Sequence, residues 1–445
     1  MNNNILKKTF IIVLVMLLAC HQAFASAGTY VSFYQGDSLR LDDIIAEVIK
    51  EHPTIKEVNE AIDAADARIG LARAGYNPEM DAALNYSNMG PVIKLTIPSM
   101  GTFQLFPENN YSAAINYRQT IYDFGRTKQN IAVETENRAV GEQMLEQAKQ
   151  RLALATINNY FTLAFLQSAI KIKEQQLMSL GEHLKHIETK LATGSATEYQ
   201  VLSTKVKMSA VNSQKVDLEA ALKYQQAYLN ALLGLPENSK PVVSNDFSVD
   251  VPVVSKDSLV SYAFHNRNEI LLNEMKASVA GLRYDLLKAM NRPIISFMAT
   301  GGAKNGYVPD LNRIKPNYVF GVGVRIPLYD GSKTKYNLLQ AQSSINALHY
   351  ENESSRRVIT SEIKEAEAYM DAAYEKISQF RLQLDQAMKA FSLAQVSFEA
   401  GTITNLDLLD ANNAVSESRL MLMKATIDYT ASVYRLKAAI GEKVY

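Results

Sequence analysis

The stretch Lys333–Phe398 constrains the fold more than any other part of this 445-residue chain. It contains neither proline nor glycine, and apolar residues recur through it at alternating spacings of four and three. These positions are Ile359, Ile363, Ala366, Met370, Ala373, Ile377, Phe380, Leu384, Ala387, Phe391, Ala394 and Phe398. A period of about 3.5 residues is typical of a left-handed coiled coil. Such a helix is about 100 Å long, so the rest of the chain must supply partners of similar length.

The same arrangement occurs earlier in the chain at a constant offset of 207 residues. Gly194 corresponds to Gly401, and Asp123 corresponds to Asp330. After this shift most of the core positions are again apolar, and the exceptions are Thr156, Asn159 and Lys173. The shared register predicts an internal duplication, with repeat 1 over residues 41–234, a linker over 235–255 and repeat 2 over 256–441. Each repeat is expected to run as helix, strand hairpin, long helix and helix.

Composition excludes several classes of protein. The formal net charge is zero, so no basic field favours nucleic acid. Cys20 is the single cysteine, so the chain has too few cysteines for a disulfide framework or a cysteine-based metal site. Two lysines precede the apolar run of residues 10–19, which predicts a secretory signal cleaved after Ala25. The alternative is a lipoprotein signal ending before Cys20. Neither cleavage leaves an apolar run that could form a transmembrane helix.

Four segments alternate between apolar and polar residues with the period of a β-strand. They cover residues 80–87, 111–118, 295–300 and 318–326. Each predicted strand is about ten residues long, which suffices to cross a bilayer at a tilt. Four strands cannot close a barrel, whereas three chains would supply twelve strands. The alternative is a soluble four-stranded sheet with one solvated face.

Several segments resemble the TolC family of outer-membrane channel proteins. They are Ile121–Arg126 and Ile326–Gly331 at the strand-to-helix joints, with Thr193–Tyr199 and Ala400–Ala411 after the long helices. The resemblance covers nearly the whole mature chain. It implies an α+β membrane protein in which a long α-helical coiled-coil barrel continues into a transmembrane β-barrel formed by a homotrimer. The linker would lie in an equatorial belt around the helices.

The resemblance also implies a function. The chain would be a passive exit duct in the bacterial outer membrane, with its helical part in the periplasm. Its partners would be outer-membrane lipid, a periplasmic adaptor and an inner-membrane pump for efflux or type I secretion. No enzymatic activity, cofactor or nucleic-acid partner is implied. The alternative is a periplasmic coiled-coil adaptor or scaffold that does not conduct.

The resemblance assigns roles to the turns that close the helical hairpins and to the joints. Residues of the two turns are expected to contact the adaptor, and their glycines to adopt the left-handed conformation: Gly194, Ser195, Thr197, Gly401, Thr402 and Thr404. The strand-to-helix joints are marked by Asp123, Gly125, Asp330 and Gly331.

Acidic residues follow the second turn. In the family, acids at the positions of Asp407 and Asp410 ring the constricted tip and favour cations. The alternative is that they complement the helix dipole, and both roles can hold together. Well-known members carry arginine where Ile403 stands and an acid where Gln200 stands, so Glu198 is the candidate substitute in the gate. His183 and His186 are expected on a solvated helix face, and no metal site or catalytic residue is predicted.

Overall fold

The computed structural model describes residues 38–99, 101–245, 247 and 255–445. The predicted signal segment, including Cys20, and part of the predicted linker lie outside them. The described elements are α1 Leu41–Glu51, α2 Pro53–Ala74, β1 Glu79–Asn88, β2 Lys94–Ile97, β3 Gly101–Gln104, β4 Asn109–Tyr122, α3 Arg126–Ala192, α4 Glu198–Leu233, α5 Leu259–Asn266, α6 Asn268–Met290, β5 Ile294–Lys304, β6 Lys315–Arg325, α7 Lys333–Glu399 and α8 Asn405–Ala439. Within the described ranges no helix combines the length and apolar character that a membrane span requires.

The two long helices are confirmed, since α3 and α7 each contain 67 residues. The three polar residues at predicted core positions of α3 are buried like their apolar neighbours. Thr156 donates to a backbone carbonyl one turn earlier, at 2.9 Å. Asn159 donates to Gln225 of α4 at 2.7 Å, and Lys173 donates to Gln176 at 3.2 Å. These positions keep the predicted register, and each of the three side chains makes at least one hydrogen bond, although Oδ1 of Asn159 is buried without a partner among the described residues.

The four predicted strands form one antiparallel sheet in the order β1-β4-β5-β6. The structure adds a small hairpin, β2–β3, in the loop that joins β1 to β4. This hairpin was not predicted, because its strands have four residues each and a period cannot be recognised over so short a run.

The first helix of predicted repeat 2 was expected to be continuous, but the structure divides it into α5 and α6. Arg267 interrupts it between α5 and α6 with an extended backbone, at φ −68° and ψ 126°. The Arg267 side chain bonds to Glu269 at 2.9 Å. The interruption contains no proline or glycine, so the sequence carries no local signal for it.

The described residues form two compact units that differ from the two predicted repeats, since each unit draws on both. One unit comprises residues 38–55, 148–263 and 361–445. Its core joins α1, α3, α4 and α8 around Ile44, Tyr160 and Leu229. The other unit comprises Lys56–Gln147 and Phe264–Thr360, and it contains the sheet. There α2 bonds to α3 through Asp66 and Arg138 at 2.6 Å.

Candidate functional site

The two turns that close the helical hairpins, 193–197 and 400–404, have the same backbone. Gly194 and Gly401 both have φ of +74°, which confirms the predicted left-handed glycines. An L-residue is strained in this conformation because its Cβ crowds the backbone. The residue after each glycine donates its N–H back to the helix, from Ser195 at 2.8 Å and from Thr402 at 2.9 Å. This is the Schellman arrangement, which satisfies the last carbonyls of a helix.

The helices that follow the turns start with the same reciprocal cap. Thr197 accepts from the backbone N–H of Gln200, whose side chain accepts from the N–H of Thr197 at 3.1 Å. Thr404 and Asp407 form the same pair, with the Asp407 carboxylate accepting from the N–H of Thr404 at 2.9 Å. A capping box of this kind satisfies donors that have no partner inside the helix.

Asp407 therefore has a structural role, as the helix-terminus alternative predicted. Hydrogen bonds from the Thr404 side chain and backbone hold the pKa of Asp407 below its ordinary value. Asp410 and Glu198 are exposed, and neither makes a hydrogen bond or ion pair with any described residue. Glu198 is thus not joined to a gate partner among the described residues. Whether the acids form a ring depends on other copies and stays a prediction.

A small apolar cluster fills the space behind the turns. It contains Ile187 of α3, Val201 of α4, Phe398 of α7 and Leu408 of α8, with Ile403 packed against it. Ile403, which departs from the arginine that the resemblance implies at this position, therefore makes an apolar contact. The cluster joins both hairpins of the tip.

The expectation for His183 is wrong, whereas His186 is exposed as expected. His183 is half-buried, and its Nε2 lies 2.7 Å from Oδ1 of Asn405. The Asn405 amide donates to the Gln200 carbonyl and to the hydroxyls of Ser203 and Thr204, at 3.1–3.3 Å. Sequence reasoning missed this group, because His183 lies beside the heptad core positions and Asn405 reads as an ordinary first helical residue.

The joints between strands and long helices are fixed by aspartates. Asp123 accepts from the N–H of Thr127 at 2.7 Å, and Asp330 accepts from the N–H of Thr334 at the same distance. Gly125 and Gly331 both have positive φ, at +94° and +68°. Each aspartate thereby caps the helix that begins just after it.

The sheet presents one apolar face across all four strands. Residues that lie opposite each other in the register share a face. This face carries Met80, Ala82, Leu84 and Tyr86 of β1, Tyr111, Ala113, Ile115 and Tyr117 of β4, Ile295, Phe297 and Ala299 of β5, and Tyr318, Phe320, Val322 and Val324 of β6. Leu84 is 83% exposed and Phe320 is 69% exposed.

The opposite face of the sheet carries its polar side chains, together with small residues and the apolar Met298 and Val319. Asn116 donates to Asp81 at 2.8 Å and accepts from Thr300 at 3.0 Å, so hydrogen bonds cross three strands. The alternation predicted from the sequence is therefore confirmed in all four strands. In this sheet β1 and β6 each have one neighbouring strand, so both edges are open.

A comparison with known families gives the decisive match. The model of the outer membrane efflux protein family matches residues 44–235 and 259–442. The chain belongs to this family. As a member of the outer membrane efflux protein family it is similar to BepC of Brucella suis, with 20% identity over 95% of this chain and 91% of BepC. It is 22% identical to TolC of Vibrio cholerae over 94% of this chain and 93% of TolC.

Solved structures of outer-membrane channels share the fold of this family member. The CusC channel superposes with a TM-score of 0.77 at 18% identity, covering 92% of this chain and 96% of CusC. VceC of Vibrio cholerae gives a TM-score of 0.74 at 17% identity, covering 91% and 97%. The resemblance to TolC-like channels is thus confirmed at the level of family and fold.

Proposed function

We propose that this member of the outer membrane efflux protein family is a homotrimeric exit duct that conducts solutes passively through the outer membrane. The observation that carries the proposal is the sheet with one continuous apolar face and two open edges. An exposed apolar face of this size is unstable in water, and open edges are not tolerated in lipid. Three sheets joined edge to edge satisfy both requirements in a closed barrel of twelve strands.

The helices of the tip support the same assembly. On α4 an apolar stripe of Tyr199, Leu202 and Val206 is exposed, and on α7 a stripe of Leu393 and Val396 is exposed. The α4 stripe has the three- and four-residue spacings of a coiled-coil seam, and the two α7 residues are three apart. Both stripes lie within about three turns of the glycine turns. A neighbouring copy would cover each stripe and complete the helical tube.

The partners follow from the family. Among the relatives is the alkaline protease secretion protein AprF of Pseudomonas aeruginosa, which is 21% identical over 75% of this chain and 70% of AprF. We infer that the chain serves an inner-membrane pump through a periplasmic adaptor, which would contact the turns at Gly194 and Gly401. Asp407 and Asp410 of three copies would give six carboxylates around the tip opening and favour cations there.

A matched pair of substitutions on β1 tests the barrel. Leu84→Asp places a charge on the apolar face, whereas Asn85→Asp places the same charge on the polar face. We expect the first to prevent stable insertion, at a cost on the order of 1–3 kcal/mol per strand, and the second to be tolerated. Fractionation of outer membranes measures this, and equal recovery of both variants would contradict a lipid-facing apolar side.

Crosslinking in mild detergent tests the trimer itself. We expect a species of three chains that conducts in planar bilayers. A stable monomer that keeps its full strand content would contradict the assembly. A soluble protein without conductance would instead favour the adaptor or scaffold alternative.

A further inference from the structure

A groove of about 480 Å³ runs along α6 in the unit that contains the sheet. Its walls come from α3, α6 and α7, and every residue that lines it belongs to that unit. The volume lies within the range of about 300–1,000 Å³ that is usual for small-molecule pockets. The α6 groove therefore has room for an organic ligand.

Part of the α6 groove is apolar. Val279 and Leu287 line it from α6, Val140 lines it from α3, and Leu348 lines it from α7. Because each helical residue advances the chain by about 1.5 Å, the apolar surface from Val279 to Leu287 extends about 12 Å along the helix. A surface of this length fits an alkyl chain or a fused ring system.

The same stretch of α6 carries two basic side chains that line the groove, Lys276 and Arg283. They are seven residues apart, which places them on one face of the helix. Neither makes a hydrogen bond or an ion pair with any described residue, and Lys276 is half-buried. No aspartate or glutamate of the described ranges lines the groove, and Glu274, the nearest acid on α6, is paired with Arg356 at 3.3 Å. The α6 groove therefore has a positive charge without a counter-charge in its walls.

A groove of similar volume in the other unit provides a comparison. It measures about 490 Å³ and lies between α7 and α8. There Lys424 is paired with Asp428 at 3.0 Å, and the guanidinium of Arg435 lies over the ring of Tyr369, 6.0 Å from its centroid. Two basic side chains of this comparison groove thus have partners inside the chain, whereas Lys276 and Arg283 of the α6 groove do not.

We propose that the α6 groove is a binding site for an amphiphilic anion. The apolar body of the ligand lies along Val279 and Leu287, and its carboxylate, sulfonate or phosphate group is held by Lys276 and Arg283. Charge-assisted hydrogen bonds are the strong ones in proteins, and a cleft lined by one sign of charge concentrates ions of the opposite sign. The site goes beyond the proposed duct, because it needs only the unit that contains the sheet.

Photolabelling of the solubilised protein with a diazirine derivative of decanoic acid tests the site. We expect peptides that contain Val279 or Leu348 to be labelled, and the matching derivative of decanol to label them about tenfold less, because it lacks the charge. Mass spectrometry of the digested protein measures this. Peptides from residues 424–435 of the comparison groove should show no preference for the acid. Equal labelling of the α6 groove by acid and alcohol would overturn the site.

Two substitutions test the basic side chains. Lys276→Met and Arg283→Met each keep an apolar stem and remove the charge, so we expect labelling by the acid to fall about three- to tenfold and labelling by the alcohol to stay the same. Lys288→Met is the matched control on the same helix, since the ammonium of Lys288 lies over the Tyr284 ring, 4.4 Å from its centroid. The site is wrong if both groove variants keep the labelling of the wild type.

Labelling of separated oligomers tests whether a neighbouring copy covers the α6 groove. We expect crosslinked trimers to be labelled as strongly as single chains. Labelling confined to single chains would overturn the site, because a second copy would then fill the groove. Labelling that depends on the charge of the probe, in a protein that fails to conduct, would support the site while contradicting the duct.

Discussion

The turn at Gly194 and the turn at Gly401 share a backbone but differ at the third helical residue, which is Gln200 in the first and Asp407 in the second. Both side chains accept from the N–H of the capping threonine, at 3.1 Å and 2.9 Å. The capping position therefore needs an acceptor, and a neutral amide supplies it as well as a carboxylate does. A negative charge at this position is not required by the fold.

The same difference recurs one turn further along. Asp410 corresponds to Ser203 by the 207-residue offset, and Ser203 is used in the contact with Asn405. Asp410 has no bonded partner among the described residues. The local structure thus does not require a negative charge at Asp407 or at Asp410. This supports a role for the two charges in the opening of the duct.

The largest effect is expected from substitutions that strain the backbone conformation shared by the two turns. Gly194→Leu or Gly401→Leu introduces a β-carbon at φ +74°, where an L-residue is strained by about 1–2 kcal/mol. We expect either change to abolish export while the trimer stays in the membrane. Export assays with membrane fractionation measure this, and unchanged export in either variant would contradict a role of that turn in docking.

Removing the charges tests the difference between the turns. The double change Asp407→Asn and Asp410→Asn preserves shape, and we expect most of the cation selectivity and of the block by trivalent ions to disappear. Reversal potentials in planar bilayers measure the selectivity. Asp385→Asn, an exposed acid on α7 that pairs with Lys389, is the control and should leave both properties unchanged. Identical reversal potentials in wild type and double mutant would leave Asp407 with its capping role alone.

The capping threonine of the second turn should contribute more than that of the first, because the Thr404 hydroxyl also donates to the Asp407 carboxylate at 2.6 Å. Thr197→Ala removes one side-chain acceptor and should destabilise the start of α4 by about 1 kcal/mol. Thr404→Ala removes an acceptor and this donor, so we expect it to destabilise the start of α8 by more. Hydrogen exchange at residues 198–203 and 405–410 measures this. Equal costs in the two turns would contradict a contribution of the Thr404–Asp407 hydroxyl bond to the cap.

Acid should destabilise the cap at Asp407 but not the cap at Gln200, and we expect this effect to be smaller than the others. Because the pKa of Asp407 is lowered in the folded protein, its contribution is present above the ordinary value of 3.8 and is lost as the pH falls through the lowered value. The cap of Gln200 does not titrate. We expect the start of α8 to lose protection as the pH falls below 3.8, while the start of α4 changes little. Parallel loss in both helices would contradict this assignment.

The long helices, the alternation of the strands and the glycine turns could all be predicted from local sequence. These features depend on periods of 3.5 and 2 residues and on backbone angles that favour glycine, so neighbouring residues are sufficient to specify them. The alternation also predicted the faces of the sheet correctly. In the observed register the predicted apolar residues of the four strands lie on one side. Family membership rested on the same local segments.

The burial of individual polar groups could not be predicted from the sequence. Lys173 and Asn159 appear in the sequence as defects of a heptad pattern, yet both are buried. His183 appears as a surface residue, yet it contacts Asn405, 222 residues away along the chain. The helix break at Arg267 likewise has no local signal. The physical reason is that the cost of burying a polar group depends on its partners, and those partners come from distant segments that helical periodicity does not bring together.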